Sequence, residues 1–293
     1  MSILVNRETR LIVQGITGRY GNFYSQKFLD YGTHIVAGVT PGKGGMSIHE
    51  IPVFDTVAEA LQEYQADASI IFAPGSVAKD AILEAVDSGI KLILCIVDGL
   101  PVRDVMVVKR RLRESQTILI GPNTPGIITP GEFLAGFMPA HAFKPGKVGI
   151  ASRSGTLTYQ TADLLCKNGV GQSTALGIGG DPIVGFGFID ALSYFEADPA
   201  TKTILLIGEI GGIQEEQAAA FIKEKVTKPV IAFIGGRMAP PGSKMGHAGA
   251  IVNEGRVGNF ASKLAAFEAV GVPVAKLLSE IPGLVKKSLV KGF

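Results

Sequence analysis

Leu11-Ile12-Val13-Gln14-Gly15-Ile16-Thr17-Gly18-Arg19-Tyr20-Gly21 is an apolar strand run that ends on a glycine turn and opens a helix. Free backbone N–H groups at such a helix start point at an anion, which makes the arrangement suit a pyrophosphate. The spacing is G-x-x-G-x-x-G and departs from the dinucleotide fingerprint G-x-G-x-x-G. A tight βα turn with no ligand would read the same way.

Outward from this stretch the pattern repeats. Strand candidates at Leu11–Gln14, His34–Val39, Ala68–Phe72, Leu92–Ile96 and Thr117–Ile120 alternate with helical patterns such as Thr56–Gln65 and Ala78–Ser88. Such alternation predicts a parallel sheet with helices on both faces. Prolines 122, 125, 130, 139 and 145 then break the rhythm. It resumes with strands at Lys147–Ala151, Ser173–Ile178, Thr203–Ile207, Val230–Ile234 and Val272–Val274, and helices at Leu157–Lys167, Glu215–Lys225 and Ala261–Ala269. The expected class is α/β. A Rossmann-like domain over residues 1–125 is followed by a connector over 126–146 and a second doubly wound domain over 147–293. In such sheets ligands sit beyond the carboxyl ends of the strands.

At the second strand's end a NAD protein usually offers Asp or Glu for the ribose hydroxyls. This chain reads Val39-Thr40-Pro41-Gly42-Lys43-Gly44-Gly45. Lys43 among glycines suits an extra ribose phosphate, as in coenzyme A or NADP, and also reads as a solvated turn lysine. Ile96-Val97-Asp98-Gly99, at the fourth strand's end, offers a further wall. In the second half Ser152-Arg153-Ser154-Gly155-Thr156 runs from a strand into a polar helix start that could hold a phosphate or carboxylate. Ser154 fits a nucleophile elbow only loosely, and reads better as a helix cap or phosphate donor.

His247 lies in Lys244-Met245-Gly246-His247-Ala248-Gly249-Ala250. An imidazole without bulky neighbours can swing, titrates near neutrality and can carry a covalently bound group. A turn histidine would look alike. Glu209, in Gly208-Glu209-Ile210-Gly211-Gly212, is a strand-end carboxylate able to fix an imidazole tautomer, or to pair structurally with a Lys or Arg.

Net charge is +2, with 18% charged and 46% hydrophobic residues. That balance points to no nucleic-acid or membrane partner. Cys95 and Cys166 lack metal-ligand spacing, so no metal site is expected. Neither a secretory layout nor a membrane-length apolar run is present, so a cytoplasmic location is expected.

Gln14–Gly18, Gly38–Gly45, Ile120–Asn123, Ser152–Tyr159, Gly177–Pro182, Gly208–Gly212 and Met245–Ala250 together, in this order, resemble the alpha subunits of succinyl-CoA synthetase (succinate–CoA ligase) over essentially the whole chain. The resemblance implies a Rossmann-like CoA-binding domain and a flavodoxin-like domain. It implies the reversible tricarboxylic acid cycle reaction of succinate, CoA and a nucleoside triphosphate to succinyl-CoA, diphosphate and phosphate. It further implies a phosphohistidine at His247 steadied by Glu209, and CoA contacts from Thr17, Gly18, Arg19, Tyr20, Lys43, Ile96, Val97 and Asp98. Tyr159 matches a substrate-site tyrosine, Ser154 and Gly155 the phosphate-holding helix start, and Asn123 and Thr124 a further substrate-side segment. ATP or GTP with Mg2+ would bind an ATP-grasp beta subunit, in a heterodimer or heterotetramer. Three departures stand out. Thr124 replaces a common cysteine, Asp98 the usual glutamate, and Ala140 a common glycine. A ligase for malate or citrate, a non-catalytic CoA sensor and an NADP oxidoreductase remain as other readings.

Overall fold

The computed structural model describes residues 2–239, 246–250 and 257–290. These divide into two compact units, one of residues 4–138 with 183–185, the other of the remaining described residues.

The first unit runs β1 (Arg10–Gln14), α1 (Arg19–Tyr31), β2 (His34–Val39), β3 (Ser47–Ile48), β4 (Ile51–Phe54), α2 (Val57–Glu63) and β5 (Ala68–Ile71). It continues with α3 (Gly75–Asp87), β6 (Leu92–Cys95), α4 (Val102–Leu112), β7 (Ile118–Ile120), β8 (Gly126–Thr129) and β9 (Phe133–Gly136). The sheet order is β3-β4-β2-β1-β5-β6-β7. Only β3 is antiparallel to its neighbour. Continuous apolar strands such as Leu11-Ile12-Val13 are fully buried, as a sheet covered on both faces requires. Ile12, Ile71, Ile82, Ile93 and Val108 share one core under the helices.

The order reverses at β1, which pairs with β2 on one side and β5 on the other. The crevice of a doubly wound sheet opens at such a point. Gly15, with φ +78°, makes the turn there, and a Cβ on it would stand 2.3 Å from the Phe72 carbonyl oxygen.

The second unit holds β10 (Pro145–Ser152), α5 (Gly155–Lys167), β11 (Gln172–Gly177), α6 (Phe188–Ala197), β12 (Thr203–Glu209) and α7 (Gln214–Lys225). After these come β13 (Val230–Gly235), α8 (Phe260–Ala269), β14 (Val274–Ala275) and α9 (Ile281–Val290). Its strands are parallel, in the order β14-β13-β12-β10-β11. Helix α5 follows β10 and α7 follows β12, so the ends of these two neighbouring strands frame the second crevice.

The stretch 126–146, expected as a connector, is instead largely structured. It forms the antiparallel β8–β9 hairpin, a short 3-10 turn at Ala140–Ala142 and the first residues of β10. The hairpin belongs to the first unit, where the Thr33 hydroxyl donates to the Leu134 carbonyl (2.8 Å) and accepts from the Leu134 N–H (3.0 Å). Prolines at 125 and 130 bound the hairpin strand β8 rather than unmaking it. The division between units thus falls at 138/139.

Candidate active site

The first-unit crevice is a cleft of about 640 Å³ lined by residues from the ends of β1, β5 and β6. Gly18, Arg19, Tyr20, Ile96, Val97 and Asp98, singled out in the sequence, all stand in its wall. Thr17 and Lys43 do not line it; Lys43 is exposed in the β2–β3 loop. The helix starts of α1 and α3 both open into the cleft, and neither cap residue, Gly18 or Pro74, spends a side chain on the first-turn N–H groups. Those donors are therefore available to an anion.

The opposite wall is aromatic. Tyr24 lies parallel to Phe72 at 5.9 Å and meets Phe137 at 4.6 Å, with Tyr20 at 6.5 Å from Phe137. Phosphate-seeking amides beside flat apolar faces suit a ligand that is part nucleotide and part phosphate. Phe72-Ala73-Pro74-Gly75 and Phe137 were missed by sequence reasoning. The first reads as an ordinary turn after β5, and the second lies in the presumed connector.

Asn123 and Thr124 also fall in the first unit. The Asn123 N–H donates to the Val97 carbonyl (2.9 Å), and Asn123 takes the left-handed conformation at φ +57°. Thr124 is buried and its hydroxyl accepts from the Gly126 N–H at 3.0 Å.

In the second unit His247 and Glu209 come together. Nδ1 of His247 lies 2.8 Å from Oε2 of Glu209, at the end of β12. A carboxylate can only accept, so Nδ1 carries the hydrogen, and in the neutral ring Nε2 is left with its lone pair. The imidazole is half-buried, with 29% of the side chain exposed, whereas Glu209 is nearly covered. The hydrogen bond that His247 donates to Glu209 raises the His247 pKa above the usual 6.5; burial opposes this, the Glu209 and Asp181 charges assist it, and Arg153 counters it. Lys244 and Met245 of the His247 run lie outside the described residues.

Gly180, in the loop after β11, supplies the floor. A Cβ there would stand 2.5 Å from Cγ of His247, and the Gly249 N–H donates to the Gly180 carbonyl at 3.1 Å. Only glycine lets the ring lie so close. Gly180→Ala is expected to displace the imidazole and slow any chemistry at Nε2 about 100-fold, since ångström-scale misplacement costs that much. Coenzyme binding, measured by calorimetry, is expected to stay unchanged.

Glu209 is itself held. Arg153, 2% exposed, places Nη2 3.2 Å from Glu209 Oε1, and its Nη1 donates to the carbonyls of Glu209 (3.2 Å) and Gly211 (2.8 Å). Arg153 immediately precedes Ser154, whose side chain caps α5 by accepting from the Leu157 N–H at 3.3 Å. The capping leaves the hydroxyl hydrogen of Ser154 to donate elsewhere, and the N–H groups of Gly155 and Thr156 lack intrahelical acceptors by position. Tyr159 sits one turn further on, its hydroxyl 3.4 Å from Thr156 Oγ1.

A cleft with unspent helix-start amides in one α/β unit and a carboxylate-paired imidazole in the other fit the class of group-transfer proteins. The CoA binding domain family matches residues 6–99, and the CoA-ligase family matches residues 151–272. The alpha 1 subunit of the ADP-forming succinate–CoA ligase of Archaeoglobus fulgidus is 52% identical over 289 residues, covering 99% of each chain. The corresponding alpha subunit of Aquifex aeolicus is 53% identical over 291 residues, covering 99% of this chain and 95% of that one. The chain belongs to the succinate–CoA ligase alpha-subunit family. Among solved structures, ATP citrate lyase from Methanothrix soehngenii, in complex with citrate and coenzyme A, matches with a TM-score of 0.90 and 27% identity. The match covers 99% of this chain and 52% of the lyase, so the chain spans about half the length of that enzyme.

Proposed function

We propose that the chain is the phosphate-carrying alpha subunit of an NDP-forming succinate–CoA ligase of the tricarboxylic acid cycle, working in the cytoplasm with an ATP-grasp beta subunit. The nucleoside triphosphate, ATP or GTP with Mg2+, would sit on that partner; among the described residues no group of three or more His, Cys, Asp or Glu side chains could hold a metal. Nor, among those residues, is any helix long and apolar enough to cross a membrane.

The steps follow from the lone pair at Nε2 of His247. It attacks the terminal phosphorus of the triphosphate, and the diphosphate leaves. A succinate carboxylate then attacks the phosphohistidine, giving succinyl phosphate and restoring the imidazole. The CoA thiolate attacks the acyl carbon, and inorganic phosphate leaves with the bonding pair. Glu209 holds the Nδ1 hydrogen throughout and stabilises positive charge on the phosphorylated ring. In this reading Ser154 and Gly155 bind the transferred phosphate and Tyr159 the succinate side. Gly18, Arg19, Tyr20, Ile96, Val97 and Asp98 form the CoA cleft, with Thr17 and Lys43 reaching CoA from its margin. Asn123 and Thr124 stand on the acyl side. The Glu209–His247 contact carries the proposal.

The direct test co-purifies the chain with its ATP-grasp partner and supplies γ-labelled ATP or GTP. Acid-labile, base-stable label on this chain is expected, chased by CoA with succinate but not with malate or citrate. Thioester formation without a labelled intermediate would overturn the carrier role, and a preference for another acid would overturn succinate.

The pH dependence has a definite sign. A protonated imidazole has no lone pair at Nε2, and the raised pKa keeps His247 protonated to higher pH. Phosphorylation is therefore expected to rise with pH through a midpoint above that of an ordinary histidine. By linkage, the pair stabilises the fold at acid pH, and this contribution is lost as pH rises through the raised value. Glu209→Gln is expected to lower the midpoint and cut the plateau rate about 100-fold, as measured by quench-flow labelling across pH.

A further inference from the structure

Behind Glu209 lies a chain of buried charges that the proposed chemistry does not use. Glu215, on α7, is fully buried. Its Oε1 accepts from Arg153 Nη1 (3.1 Å) and from the Glu209 backbone N–H (3.1 Å). Its Oε2 accepts from Nζ of Lys263 on α8, and Lys263 is fully buried too. The ammonium spends its other hydrogens on the Gly212 carbonyl (2.9 Å) and on Glu216 Oε2 (3.1 Å). Glu216 Oε1 accepts from the Ser262 hydroxyl (2.7 Å) and the Gly258 N–H (3.0 Å). Burial pushes the Glu216 carboxyl up, but these hydrogen bonds and the Lys263 charge outweigh it and hold the pKa below its ordinary value.

Stability alone does not account for this arrangement. Replacing a buried ion pair by apolar residues is commonly neutral or stabilising, because two desolvation costs vanish. What the chain does accomplish is geometric and electrostatic. It fixes both the backbone and the carboxylate of Glu209, from the Glu215 oxygen and the Arg153 guanidinium. Among the described residues the charges acting on the His247 ring are the carboxylates of Glu209 and Asp181 and the guanidinium of Arg153. Glu215, Lys263 and Glu216 stand behind them, joined in turn to Arg153 and to one another.

We propose that Lys263, Glu215 and Arg153 are positioning residues for His247, a buried relay that clamps Glu209 and limits the negative charge presented to the imidazole. The proposal deepens the phosphohistidine reading and rests on it for its purpose. Without Lys263 the surplus of carboxylates grows, the imidazole holds its proton to higher pH and the phosphoryl acceptor is lost at neutrality. Without Glu215 the opposite happens, and the proton leaves sooner.

The test is a proton NMR titration of His247 in the full chain. Its ring resonance is assigned among the four histidines by its absence from His247→Asn. Glu215→Gln is expected to lower the midpoint, and Lys263→Met to raise it, each by about half a pH unit, the scale of one charge acting through the Arg153–Glu209 link in a partly screened interior. The double variant Glu215→Gln/Lys263→Met removes one charge of each sign and is expected to return the midpoint to the wild-type value. A purely structural network would give shifts of the same sign in both single variants, or none, and either result overturns the proposal. Should a single variant fail to fold, the double variant and Glu216→Gln decide. The former must leave the midpoint in place and the latter must lower it; any other outcome also overturns the proposal. The titration needs no phosphoryl transfer, so failure of labelling in the wild type would strike the carrier reading and leave this measurement standing.

Discussion

Replacement of His247 by asparagine is expected to abolish the labelled intermediate and to slow thioester formation by about 10⁴-fold or more, the usual scale for removing a covalent nucleophile. Asparagine keeps an N–H that can still reach Glu209, so the carboxylate is not left bare. The cleft proposed for CoA is lined wholly by residues of the other unit. Coenzyme affinity measured by calorimetry should therefore match the wild type. This separation of outcomes, with binding intact and turnover lost, distinguishes a carrier from a CoA sensor. A variant that turned over normally would end the phosphohistidine mechanism.

The second large effect is on stability. Arg153→Met removes a guanidinium that is 2% exposed, takes from the fully buried Glu215 carboxylate one of its two cationic partners and leaves two carbonyl acceptors without this donor. Breaking one partner of a buried ionic cluster costs about 3–5 kcal/mol. For a unit of this size that corresponds to a fall of roughly 10 °C in melting temperature, to be read by calorimetry. The exposed Lys167–Asp163 pair on α5 makes a control, whose loss is expected to move the melt little. A small effect at Arg153 would mean that water or relaxation reaches Glu215.

Much of this was legible in the residues. β2 was read to its ends, and β1, β5, β6, β12 and β13 to within two residues, because uninterrupted apolar runs bounded by glycine leave little room for another reading. β14 begins at Val274, not Val272, since Pro273 has no N–H to give to a ladder. Helix α4 was not singled out: Val102, Met106 and Val107 are exposed among its arginines, which blurs the apolar stripe. Glu209 could be found because a carboxylate among glycines at a strand end has few structural uses. Arg153, Glu215 and Lys263 could not. A charged residue within a helix pattern reads as its wet face, and only the packing of α7 against α8 turns Glu215 and Lys263 inward. Gly180 was quoted for its motif, but the ring it supports lies far along the chain.

The two carboxylates that act on His247, Glu209 and Asp181, have a consequence for what the ring would carry. A phosphoryl group would bring about two negative charges to a place where Glu209 and Asp181 already repel them. The loaded ring would sit high in free energy relative to its hydrolysis products, with a strong tendency to give the group away. The α5 helix start at Ser154 and Gly155 would offset part of this repulsion, and a tighter hold would trap the group and make delivery to a poor nucleophile such as a carboxylate uphill. Repulsion keeps the transfer potential of the intermediate close to that of the anhydrides on either side. Neither direction of the reaction then meets a thermodynamic well at the halfway point.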